Sequence, residues 1–218
     1  MEDKPHFRCT LCATCCMKSD ISLIPFEAPI LKNITRKLKI DARIEPLNMV
    51  YDEKNSVNIA ISYVLKLKDG ICPFLDVNTN LCRIHQLYKP LICRSYPYVP
   101  SSVRYLYDPI TKIVFHTANY AISAACPVIK ESRKKHGVAI TARPHEYMPS
   151  EYRWAIIAEN TRAMLLQGLS ELWKKGMVDL KFGANVRGVP VINLYELLKA
   201  TLPHFAILPK PVIGDSRL

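Results

Sequence analysis

The sequence predicts an α+β fold, with cysteine-rich loops and a small antiparallel sheet followed by a helical C-terminal extension. Three observations predict it. Eight cysteines, at positions 9, 12, 15, 16, 72, 82, 93 and 126, fall in loop-like surroundings punctuated by Pro73, Pro90 and Pro97. From Val57 to Leu67 the odd positions Val57, Ile59, Ile61, Tyr63, Leu65 and Leu67 form one face opposite Asn58, Ser62, Lys66 and Lys68, the period of a strand. The longest helical periodicity lies beyond the last cysteine.

Residues 6–19 read as a cysteine-bearing loop, and Pro25 to Lys39 as a helix, because Ile30, Leu31, Ile34 and Leu38 recur at helical spacing. Residues 70–98 form a second cysteine segment of loops, with a short helix expected near Cys82 to Tyr88. Val103 to Tyr107 and Thr111 to His116 flank Asp108-Pro109-Ile110 as a hairpin. Pro127 suits the first turn of a helix through Lys135, with Gly137 as its stop and Cys126 just before it. Ser150 is the expected cap of a long helix in which Trp154, Ile157, Ala158, Thr161, Leu165, Leu169 and Leu172 line one side before Gly176. A last helix is expected to begin near Asn193. This divides the chain into a cysteine-cluster domain, 1–140, and a helical segment, 141–218, packed on it.

At 218 residues the chain is long enough to bury a core of its own, and 49% hydrophobic residues mark an ordered protein. The opening Met1-Glu2-Asp3-Lys4-Pro5-His6 lacks the basic start and apolar stretch of an export signal. The apolar windows Ile59 to Leu67 and Val114 to Ile129 are broken by Lys66, His116 and Asn119 before they reach a spanning length. A cytoplasmic protein without a membrane segment is expected.

The first four cysteines read C-x-x-C-x-x-C-C. A two-residue gap lets neighbouring thiolates turn onto one metal, as in zinc and iron–sulfur sites. The run Cys9, Cys12, Cys15 with a remote Cys126-Pro127 is similar in part to ferredoxin ligation, in which a distant Cys-Pro completes three close thiolates. Thiolates gathered without a cation repel one another and take back protons, and a metal removes that penalty. Adjacent Cys15 and Cys16 cannot readily converge on one metal, so either they face two sites or one is free. The candidate ligands are Cys9, Cys12, Cys15, Cys16, Cys72, Cys82, Cys93 and Cys126, with their grouping open. A [4Fe–4S] iron–sulfur cluster is the preferred cofactor and zinc the alternative. Disulfides and inert buried thiols are the competing readings.

The order Phe7-x-Cys9-x-x-Cys12-x-x-Cys15-Cys16, Gly70-x-Cys72-Pro73-Phe74-Leu75, Cys82-x-Ile84-His85 and Lys89-Pro90-x-x-Cys93-Arg94-Ser95-Tyr96-Pro97 resembles the YkgJ-type cysteine-cluster family over residues 6–130. The resemblance implies a zinc- or iron-chelating, or iron–sulfur-containing, protein. It departs at Ala13, where the family often has glycine, at His85, often tyrosine, and at Lys89, often arginine. Flagellin lysine methylases carry a similar cluster, so the resemblance also implies a link to protein lysine methylation. No methyl-donor motif, phosphate loop, nucleophile elbow or zinc-protease helix accompanies it, and no catalytic residue set is visible.

Arg94, next to Cys93, is a candidate to donate hydrogen bonds to metal-bound sulfur. His85 is a weaker alternative ligand. The net charge of +11 favours anionic partners, and two metal–tetrathiolate sites would lower it only to about +7. Arg36-Lys37-Leu38-Lys39, Arg133-Lys134-Lys135 and the tyrosines 96, 98, 105 and 107 are candidates for nucleic-acid contact, with solvated helix faces and ordinary strand residues as the simpler readings. A zinc-stabilised module binding nucleic acid or an unknown protein partner is the alternative to a cluster-bearing protein.

Overall fold

The computed structural model describes residues 6–17, 20–137, 142–183 and 186–207. The opening residues through Pro5 and the division expected at residue 140 lie outside the described residues. After a 3₁₀ turn over Thr14–Met17 the chain forms β1 (Ile21–Leu23), α1 (Glu27–Leu38), β2 (Ile44–Asp52) and β3 (Val57–Leu65). There follow β4 (Leu75–Asp76), β5 (Leu81–Cys82), α2 (Leu91–Ser95), β6 (Tyr98–Asp108), β7 (Ile113–Ile122) and α3 (Pro127–His136). The C-terminal part contains α4 (Pro144–Tyr147), α5 (Pro149–Lys174), β8 (Leu180–Lys181), β9 (Val191–Asn193) and α6 (Leu194–Thr201). The fold is α+β, as the sequence predicts.

The main sheet has the order β1-β3-β2-β8, with β9 pairing β3 in parallel and every other pair antiparallel. The expected strand is therefore central, and both of its faces are buried rather than one. Ser62 is satisfied by Asn48, whose backbone N–H and Nδ2 donate to its hydroxyl at 3.2 and 2.7 Å. Asn58 donates Nδ2 to the Val186 carbonyl at 2.8 Å. The Ser62 hydroxyl and the Asn58 amide nitrogen thus have partners at these interior positions, whereas the buried Asn58 Oδ1 has none among the described residues.

The helical extension also contributes strands. β8 and β9 are two and three residues long, too short for any period to show in sequence. A core of Val50, Ile59 and Ile61 from the sheet with Leu165, Leu169, Leu172 and Leu198 from α5 and α6 joins the two parts. Gly168 lets this packing close, since a Cβ there would stand 2.5 Å from Phe205 Cζ. Ser150 lies inside the first turn of α5 and does not cap it. Met148 holds that position and Pro149 begins the helix, its fixed φ suited to the first turn. α6 begins next to Asn193, as expected, and Asn193 caps it, its Oδ1 accepting from Tyr195 N at 2.8 Å and Glu196 N at 3.3 Å.

The hairpin β6–β7 is longer than expected, and Asp108 closes its tip by accepting from Ile110 N and the Thr111 hydroxyl. Its tyrosines are occupied within the fold: Tyr98 packs on Tyr120 and Tyr152, and Tyr107 stacks on Phe182 at 3.8 Å. The basic runs sit in the last turns of α1 and α3, where positive charge complements the helix dipole. No helix among the described residues is long and apolar enough to cross a membrane.

Candidate metal centre

The first cysteine loop is shaped by two left-handed residues, Leu11 (φ 55°) and Ala13 (φ 56°). Ala13 is buried, and Cys16 N donates to its carbonyl at 2.8 Å, starting the turn that carries Cys15 and Cys16. A left-handed residue at this position accounts physically for the glycine common there in the resembling family. Cys9 and Cys12 are exposed, and Cys12 Sγ lies 3.3 Å from the Thr14 hydroxyl.

Cys72 N donates to the Cys16 carbonyl at 2.7 Å, so the two cysteine segments are tied through their backbones. The next residues form a miniature hairpin in which Leu75 pairs with Cys82 and Asn80 takes the left-handed turn position (φ 57°). The helix expected over Cys82 to Tyr88 is absent. Those residues make successive four-residue turns, from His85 N to Cys82 O and from Leu87 N to Ile84 O, and the helix comes later as α2, with Pro90 at its N-cap. α2 carries Cys93.

Buried Glu27, 1% exposed, fixes this arrangement. Its Oε1 accepts from the Tyr88 hydroxyl and Leu91 N, both at 2.8 Å, and its Oε2 accepts from Ile24 N at 2.9 Å. The carboxyl supplies the first amide of α2 with an acceptor that the helix itself cannot. Burial raises its pKa, and the three donors pull it back.

Cys126 is buried at the N-cap of α3, where its N–H donates to Ser123 O. Burial raises its pKa, and the amides of Ile129 and Val128 partly offset this. The same balance holds elsewhere. Burial pushes Cys72 up to about 11 against the amides of Phe74 and Leu75, and it raises Cys82 against the Ile84 amide and the charge of Lys89. Burial likewise raises Cys93, with Lys89 the main opposing charge. Cys15 alone falls markedly, to about 6, through its hydrogen bond with Cys16 across 3.9 Å, and the same contact raises Cys16. Without a cation this array is held mostly protonated, and bound metal is what turns it into a set of thiolates.

All eight cysteines are free thiols in the structure. Cys72 belongs to a hydrophobic cluster against which Cys16, Cys82 and Cys93 pack, whereas Cys126 belongs to a second cluster with Ile129, Tyr147 and Met148. Among the described residues no three histidine, cysteine, aspartate or glutamate side chains already stand in ion-holding geometry. Arg94 donates Nε to Lys89 O at 2.8 Å and lays its guanidinium over Trp154, 4.5 Å from the ring centroid. His85 is exposed. Lys89 is the cation whose charge bears on Cys15, Cys82 and Cys93. The motif Lys89-Pro90-x-x-Cys93 marks a basic residue at this position, but its bearing on Cys15 and Cys82 was not legible from sequence, because those thiols lie in other segments.

What this arrangement can do chemically is hold a thiophilic cation by thiolate sulfur within apolar walls. No curated protein and no solved structure matches the chain significantly. One family model does, covering residues 8–127, and it is described as "CxxCxxCC: Putative zinc- or iron-chelating domain". Its span includes all eight cysteines and more than half of the chain, so the protein belongs to this CxxCxxCC family.

Proposed function

We propose that the chain is a cytoplasmic iron–sulfur protein whose cluster, of [4Fe–4S] type, is held by cysteine thiolates alone. The observation that carries this reading is the gathering of Cys16, Cys72, Cys82 and Cys93, from separate stretches of sequence, around one apolar cluster. Four thiolates are the ligand set such clusters take. The Cys-Pro at the start of α3 is close enough for its thiol to feel the charge of Cys12 and Cys9, an arrangement like ferredoxin ligation and less like a single zinc site.

When bound, such a cluster supplies one-electron chemistry. The chain's own contribution is to exclude water through Phe74, Leu75 and Ile84, to turn the Phe74 and Ile84 amides toward sulfur, and to offset negative charge with Lys89. The test is the visible spectrum of protein purified without oxygen. A brown protein that bleaches in air is expected. A colourless protein that keeps zinc and loosens with chelator would overturn the cluster and leave a zinc-held module.

A further inference from the structure

The hairpin β6–β7 forms a sheet of its own, so each of its strands has one edge without a neighbouring strand. β6 is interrupted by Pro100 and a register shift beside it, features that blunt an edge. β7 has neither: Ile113–Ile122 carries no proline, lysine, arginine, aspartate or glutamate. Val114 N donates to Ser170 Oγ on α5 at 2.8 Å, so the amide of Val114 points away from β6. Alternation along the strand turns the N–H and C=O of His116 and Ala118 the same way, and these groups have no partner among the described residues.

That edge forms one wall of a cleft of about 530 Å³, with Ile113 and Phe115 on the β7 side and Ala163, Gln167 and Lys174 on the α5 side. No cysteine lines it. The stripe of α5 from Ala163 to Lys174 is about 16 Å long, which matches about five residues of extended chain. His116 also lines the cleft. Its side chain is 9% exposed, Nε2 lies 2.6 Å from Glu159, and Nδ1 has no partner among the described residues. A ligand that fits the edge offers N–H donors and C=O acceptors at strand spacing, which is peptide backbone. Charge selects its sequence. Glu171, the acid of the cleft, is tied to Lys175 at 2.6 Å, whereas Lys174 makes no ion pair among the described residues. The chain's net charge of +11 likewise draws an acidic partner and repels a second copy. We propose that the outer edge of β7 and the stripe of α5 beside it bind an extended acidic segment of a partner protein, added to the hairpin as a third strand.

The test is fluorescence anisotropy of the full chain with a labelled eight-residue peptide of alternating valine and glutamate. It should bind. The same peptide fully N-methylated, or with lysine in place of glutamate, should bind at least about 10-fold more weakly. Ala118→Pro removes one edge N–H and leaves the ladder to β6 in place, so it should weaken binding by a similar factor. Lys174→Glu should weaken it about 3-fold. The N-methylated peptide carries the test even if Ala118→Pro fails to fold. No binding of the valine–glutamate peptide, or binding that N-methylation leaves unchanged, would overturn the proposal. A dimer by light scattering that Ala118→Pro turns into a monomer would overturn it in favour of a second copy. Binding that appears only once residues 208–218 are removed would overturn it in favour of this chain's own C-terminal segment.

Discussion

Glu159 on α5 fastens the β6–β7 hairpin to the C-terminal helices, and its replacement by glutamine gives a number that can be worked from the structure. His116 Nε2 lies 2.6 Å from its Oε2, the Tyr120 hydroxyl donates to its Oε1 at 2.9 Å, and Arg162, one turn along the helix and almost fully buried, pairs with the same oxygen. Burial alone would raise the carboxyl. The hydrogen bond from His116, the charge of Arg162 and the hydroxyl of Tyr120 outweigh it and hold the pKa at about 2 against an ordinary 4.5. That depression corresponds to about 3 kcal/mol of stability. Because the folded pKa is lowered, the contribution is complete above about pH 4.5 and is lost as the pH falls through about 2. Glu159→Gln keeps the shape but leaves the Arg162 charge without its partner, and should cost about 3 kcal/mol at neutral pH. Urea unfolding of both proteins at pH ~7 and pH ~2 reads the effect, and taking the difference between them cancels the thiol protonation common to both. The gap should close at the lower pH. Equal stability at neutral pH, or a gap that does not change with pH, would refute the reasoning.

Three further outcomes follow from the site. Glu27→Ala leaves the Tyr88 hydroxyl and the amides of Ile24 and Leu91 without their acceptor, and should cost about 3–5 kcal/mol in urea unfolding and speed metal loss to chelator. Lys89→Gln removes the cation opposing thiol protonation at Cys82 and Cys93, and should weaken metal retention by about 10- to 100-fold in a chelator competition, most strongly at acidic pH. At Ala13, held at φ 56°, glycine should leave metal content unchanged, whereas valine should cost more than about 2 kcal/mol and empty the sites. Unchanged metal content in Ala13→Val would show that the loop can take another shape.

Much of this was legible in the sequence, and what was missed has physical reasons. The alternation from Val57 to Leu67 gave β3, but not the burial of its Asn58 and Ser62 face, which depends on Asn48 and Val186, distant in sequence. Pro127 and Gly137 marked α3, and with it the position of Cys126, because both residues act on their own backbone dihedrals. The helix expected near Cys82 fell to a miniature hairpin and tight turns, leaving Pro90 to begin α2. The cysteines were evident as ligand candidates from spacing alone. Their division into two neighbourhoods was not, since it is set by which hydrophobic cluster each segment packs against. Glu27 carries no motif, and Lys89, although it opens the motif that runs to Cys93, owes its bearing on Cys15 and Cys82 to segments that folding brings to it.

The most direct test of the central claim is the iron, zinc and acid-labile sulfide content of untagged protein purified without oxygen. Iron and sulfide in near-equal amounts, with little zinc, is the predicted result. Protein free of both metals, with its cysteines oxidised in pairs, would contradict it.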